Sequence, residues 1–217
     1  MAQHGQGRSD RMGTVEMSDE QSRVPAVVTD LAKELTVIGP TRGDVIDWNA
    51  AETVYGRPFP ADYRAFVALF GHGSIEEMVG IRIPALTSEE SYQNRVSPLT
   101  PDALADATVN NWAAPVQAGE YCLEDLLIWG ETAAADTFAW IAADSDPDRW
   151  PVAVYSRFEL AWSVYPGGMA EFLLRLLHDG FEEWPISDTS LRGVTLPRFL
   201  HDQDEEAAWD SGTNPWE

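Results

Sequence analysis

Arg57-Pro-Phe-Pro-Ala-Asp-Tyr-Arg-Ala-Phe-Val-Ala-Leu-Phe-Gly-His-Gly73 spells a helix with its own start and stop. Pro60 fits the first turn, where its missing N–H costs nothing, and Gly71 fits the left-handed conformation that closes a helix. Between them Tyr63, Phe66, Val67 and Phe70 recur at i, i+3, i+4 and i+7 and build one apolar face. That face is a core face.

Upstream, Asp44 is placed to cap a second helix in which Val45, Trp48, Ala51 and Tyr55 keep helical spacing and Gly56 ends the run. Residues 24–35, with Val27, Val28, Leu31 and Leu35 after Pro25, predict a third, short amphipathic helix. Downstream, residues 75–79 and 81–83 predict a short hairpin. Pro101 and Asp102 offer a helix start ahead of a weak face at Ala103, Leu104 and Ala107. From residue 124 the pattern changes: 126–129, 137–141, 152–156 and 161–165 are short, rich in aromatic and β-branched residues and separated by turn clusters, which predicts an antiparallel meander. Val152, Val154 and Ser156, then Trp162, Val164 and Pro166, are expected to share a face, leaving one side packed and one partly exposed. A last helix carries Met169, Phe172, Leu173, Leu176 and Leu177 on one stripe. The expectation is a single α+β domain over 24–200, a largely antiparallel sheet with helices packed around it. Residues 1–23 are expected to be disordered, 185–200 a loosely structured return, and 201–217, with Asp202, Asp204, Glu205 and Glu206, an acidic tail.

With 217 residues, 44% of them hydrophobic, the chain has enough for one full core. Cys122 is the only cysteine, which excludes an internal disulfide and points to a reducing compartment; flanked by Tyr121 and Leu123, it is expected to be a small buried hydrophobe. Residues 1–23 lack a signal-peptide pattern and no apolar run reaches the ~20 residues of a membrane span, so the expected location is the cytoplasm. The net charge is −22; the first 23 residues supply one negative charge and the last 17 supply six, leaving fifteen on the body. A field of that sign argues against direct binding to nucleic acid or an anionic membrane and favours a basic partner.

Catalytic and metal chemistry find little support. His4, His72, His178 and His201 lack the spacing that places two on one metal, and His72, between two glycines, is foremost a solvent-facing loop residue. No Gly-x-Ser-x-Gly elbow is present, and Gly167-Gly168 lacks the rest of a phosphate loop. Asp144-Ser-Asp-Pro-Asp148 begins like a calcium loop but places Arg149 where Gly and Tyr155 where Glu are required, so no metal or cofactor is expected. It predicts an acidic hairpin turn beside Trp150, and an exposed aromatic ringed by acids is how a hot spot for a basic protein looks. Trp48, Trp140 and Trp162 lie on expected core faces, whereas Trp112, Trp129, Trp150, Trp209 and Trp216 could serve packing or an interface.

The ordered series Asp47-Trp48 with Glu52 and Gly56, Pro60-Ala-Asp62-Tyr63-Arg64-Ala-Phe66, Gly71 and Gly73 continues through Leu126-Leu-Ile-Trp-Gly130, Thr137-Phe-Ala-Trp-Ile141, Asp146-Pro-Asp-Arg-Trp150, Val152-Ala-Val-Tyr155 and Met169-Ala-Glu-Phe-Leu173. It resembles the SUKH superfamily, which includes the fungal cell-wall-assembly regulator and many bacterial immunity proteins encoded beside secreted toxins. No single piece is specific; the order carries the likeness, over residues 24–200. His72 and the acidic C-terminal stretch depart from the family pattern. The resemblance implies a non-enzymatic protein-binding domain that neutralises a cognate toxin, with a housekeeping regulator or scaffold of the same fold as the alternative. Charge adds that the toxin would be basic, such as a nuclease domain. The candidate contact residues are Glu131, Asp136, Asp144, Asp146, Asp148, Trp150 and His72. An enzyme assembled from dispersed acids such as Glu52, Asp62, Asp136 and Asp144 has no spacing in its favour.

Overall fold

In the computed structural model, which describes residues 24–90 and 94–217, the elements run α1 (Ala26–Glu34), β1 (Thr36–Ile38), α2 (Trp48–Tyr55), α3 (Ala61–Leu69), β2 (Gly73–Ile75), β3 (Val79–Ile81), β4 (Ser97–Pro98), α4 (Pro101–Ala105) and α5 (Pro115–Glu120), followed by β5 (Leu126–Thr132), β6 (Thr137–Ile141), β7 (Val152–Ser156), β8 (Ala161–Tyr165), α6 (Met169–Leu177), β9 (Arg198–His201) and α7 (Asp202–Asp210). The segment expected to be disordered, 1–23, lies outside the described residues. Helix α3 starts after Pro60 and leaves through Gly71 at φ +82°, and Tyr63, Phe66 and Val67 are buried as the spacing requires. The cap of α2 is Asp47, whose carboxylate accepts the Ala50 N–H, not Asp44.

The strands form one sheet in the order β1-β9-β2-β3-β5-β6-β7-β8, with β4 beside β3 on the same edge of β5. Only β1 and β9 pair in parallel among the named strands; the remaining pairs are antiparallel. The chain is a single α+β domain. The β2–β3 hairpin lies earlier than expected and turns at Glu76 and Glu77, both at positive φ.

Two apolar layers flank the meander. On one side Leu127, Trp129, Phe138, Trp140, Val152 and Val154 meet α1, α3 and α6. Tyr63 of α3 stands edge-on to Trp140 at 4.8 Å, and Trp129 stacks on Phe138 at 5.0 Å. On the other side Leu126, Ile141, Ala153, Tyr155 and Trp162 are covered by Leu99, Leu104, Val109, Trp112, Tyr121 and Leu123. The second face is therefore covered over most of its area, with Ile128 and Val164 left partly exposed. Trp162 opposes Tyr155 and belongs to this second layer, away from Val152 and Val154. Cys122 is exposed, so it does not fill the core.

The largest correction concerns the C-terminal stretch. Part of the segment expected to be a loose return is β9, inserted between β1 and β2, and the expected tail contains α7, which packs on β9 and β2. Phe199 anchors it, with its ring 5.9 Å from Phe66 and 5.3 Å from Phe70. Arg198 adds a two-pronged ion pair to Glu76 at the β2–β3 turn. Phe199→Ala should therefore cost about 3–5 kcal/mol, read as a fall in the urea midpoint at unchanged slope; a change within about 0.5 kcal/mol would mean that β9 is dispensable.

Candidate interaction surface

The acids of the 144–148 turn are ordered by their own backbone. Asp144 accepts the Asp146 N–H and Asp146 accepts the Asp148 N–H, so successive side chains fold the loop between β6 and β7. Trp150 is 2% exposed and donates its indole N–H to the Asp144 carbonyl at 2.6 Å. It is the anchor beneath the turn and not the exposed hot spot that the sequence suggested, because β7 begins two residues later and carries it into the core.

One carboxylate fastens the turn to α3 and a second fastens α3 to α6. Asp148 accepts the Ala61 N–H at 2.6 Å, at the start of α3; Asp62, one residue on, accepts the Ala170 N–H at 2.9 Å, at the start of α6. Both use helix N-termini, whose unpaired N–H groups favour negative charge. Between them lies a groove of about 240 Å³ with walls of Val27, Pro60 and Pro147 and carboxylates from Asp62, Asp148 and Glu171. Burial raises the pKa of Asp62 above its ordinary value; the N–H donors of Ala170 and Tyr63 oppose that rise and Asp148 adds to it. Arg149 is the neighbouring base, 3.3 Å from Asp144.

The other expected contact residues lie elsewhere. Glu131 on β5 is exposed but paired with Arg82 at 2.8 Å. Asp136 is 0% exposed and cannot meet a partner. Its carboxylate accepts from Thr132 Oγ1, the Arg157 N–H, and both the N–H and the hydroxyl of Ser187, tying the β5–β6 turn to the β7–β8 turn and to the loop after α6. A residue with this many local donors is a brace. His72 is a half-buried neighbour of α7: its Nδ1 lies 3.4 Å from Asp202, whose pKa the imidazole lowers. Asp144, Asp146 and Asp148 are brought together; Glu131, Asp136 and His72 are not among them.

Helix α7 was missed by sequence reasoning. His201 caps it by accepting the Gln203 N–H at Nδ1, so the proton of the neutral ring sits on Nε2, which faces Asp44 at 3.4 Å. Asp204 accepts from the N–H and hydroxyl of Thr41, and Glu205 accepts from the Trp216 indole and the Ser74 hydroxyl. These inward acids fix the helix to the sheet. Of the nine tryptophans only Trp209 is exposed, at 48%. Its signal in the sequence was its spacing from Asp202 and Glu206, which reading 201–217 as a tail concealed.

Of the dispersed acids considered for catalysis, Glu52 pairs with Arg64, Asp136 is enclosed, Asp144 faces Arg149 and Asp62 alone lines the groove. Among the described residues no group of three or more His, Cys, Asp or Glu side chains is placed to hold a metal, and no helix is long and apolar enough to cross a membrane. Comparison with protein-family models, curated proteins and solved structures found no match to the chain.

Removing the Asp136 acceptors strands several buried donors, so Asp136→Ala should lose at least about 3 kcal/mol in chemical denaturation; near-neutral behaviour would mean that water replaces the carboxylate. For Asp62 the sign follows from its raised folded pKa. Its contribution to stability is complete below the ordinary value of 3.8 and is lost as pH rises through the folded value. A carboxyl-carbon NMR titration should give Asp62 a midpoint above 3.8, lowered by Asp148→Asn, which keeps an oxygen for the Ala61 N–H. A midpoint at or below 3.8 would mean that the N–H donors outweigh burial and would overturn the raised value.

Proposed function

We propose that the chain is a non-enzymatic protein-binding domain that recognises and neutralises a basic protein, in the manner of the SUKH immunity proteins whose ordered motifs it resembles. The observation that supports this best is the braced, solvent-facing turn bearing Asp144, Asp146 and Asp148, with Glu171 across the groove and Arg149 beside it. Rigid acids lose little on association, because their positions are set before the partner arrives. A net charge of −22 speeds the approach of a basic surface and repels nucleic acid. A nuclease-type toxin is the target that fits both effects, since an acidic protein covering its basic face blocks the surface that must meet nucleic acid. The reading places the protein in the cytoplasm, where the single thiol of Cys122 stays reduced.

The test is capture of partners by the full-length tagged chain from its own cells at low and moderate salt, with mass-spectrometric identification. One basic, toxin-like protein is expected, released as salt rises. The triple variant Asp144→Asn, Asp146→Asn, Asp148→Asn should slow association about tenfold and leave dissociation less affected. Binding that ignores both salt and the triple variant would refute the electrostatic reading, and capture of envelope-assembly or regulatory proteins would replace toxin neutralisation with a scaffold role.

A further inference from the structure

The outward face of α7 combines features that the fold does not use. At 100° per residue, Trp209, Asp202, Glu206 and Asp210 fall side by side across an arc of about 100°. All four are exposed, whereas Asp204 and Glu205 turn inward to Thr41, Ser74 and Trp216. Asp202 is held by His72. Among the described residues no lysine or arginine is ion-paired with Glu206 or Asp210, and 201–217 contains neither residue type. The nearest arginine in sequence, Arg198, is occupied by Glu76 and stacks over Trp216 at 5.3 Å. A large aromatic ring is thus left in water beside two unpaired carboxylates on a helix whose other side is locked down.

We infer that this face is a docking surface for an arginine presented by a basic protein partner. The guanidinium stacks on the Trp209 ring while its N–H fork meets Glu206 or Asp210. Arginine fits better than lysine because its planar group stacks and hydrogen-bonds at once, and because it loses less hydration on leaving water. Arg198 over Trp216, with Glu76 as its acceptor, shows the same three-part arrangement inside this molecule. The assignment rests on the partner being a basic protein, but not on the 144–148 turn being the surface that it meets.

The experiment is an NMR titration of the full-length, nitrogen-15-labelled chain with a blocked triarginine peptide at low salt. The Trp209 indole signal is assigned by Trp209→Phe. Saturable shifts are expected at that indole and at the amides of Glu206 and Asp210, with no response to the matched tricitrulline peptide. Trp209→Ala and the pair Glu206→Gln, Asp210→Asn should each weaken binding about threefold to fivefold without changing Tm. Shifts confined to 144–148 and Ala170 would overturn the α7 surface and leave the basic-partner reading standing. A response to tricitrulline, non-saturating shifts across all acids, or a concentration-dependent Trp209 signal without peptide would also overturn it, the last by assigning the face to a second copy of the chain. Silence at every acidic site would count against both readings.

Discussion

The groove between the 144–148 turn and α6 is positioned by how α3 lies on the sheet, and Tyr63 is the residue that locks α3 in place. Its ring stands edge-on to Trp140, and its hydroxyl donates to the Arg82 carbonyl at 2.7 Å. Burial raises its pKa well above the ordinary 10.0, so the phenol keeps the proton that it donates. An apolar face can slide along a sheet; an aromatic with a hydrogen bond at its tip cannot slide without losing one or the other. With α3 fixed, its first N–H, that of Ala61, donates to Asp148 and its second residue, Asp62, reaches α6. Its exit through Gly71 delivers His72 to Asp202. Gly71 has no room for a side chain, since a Cβ there would stand 2.6 Å from the His201 ring.

Sequence patterns made α3, the meander and α6 legible because each is local: the apolar spacing, the turns and the caps lie within a dozen residues. Asp44 and Asp47 were harder to separate, since both precede the same apolar run. The structure gives the cap to Asp47, while Asp44 accepts the His72 N–H and faces His201, contacts made across the fold. Strand β9 was illegible for a related reason. Four residues cannot show a period, and their partners in β1 and β2 lie far away along the chain.

Two tryptophans show how charge can mislead. Trp150 and Trp209 both stand among aspartates. Around Trp150 the aspartates serve the backbone, folding the turn and capping a helix, so the ring is drawn inward with the strand that follows. Around Trp209 the helix divides its acids by angle. Those facing the sheet find donors and Asp202 finds His72, whereas Glu206 and Asp210, on the side of the ring, find none among the described residues. Surrounding composition is nearly the same in the two cases; what differs is whether each carboxylate has a nearby N–H to accept.

That distinction also explains how a chain of net charge −22 stays folded. Carboxylates that accept backbone N–H groups at helix starts and turns replace water as partner to donors that would otherwise be unpaired, and their charge lies against the positive end of a helix. Asp148 and Asp47 accept helix-start N–H groups in this way; Asp62 does so against the larger cost of its burial, and Asp204 accepts the Thr41 N–H. Acids with neither such a donor nor a cation beside them contribute mainly mutual repulsion, reduced by salt over a Debye length of about 8 Å. A basic surface laid over them removes that repulsion and adds attraction, so the same charges that detract from the free protein's stability favour the complex. Salt weakens both effects at once: it should raise the stability of the free domain while lowering its affinity for the partner, a pairing of opposite responses that an uncharged interface would not produce.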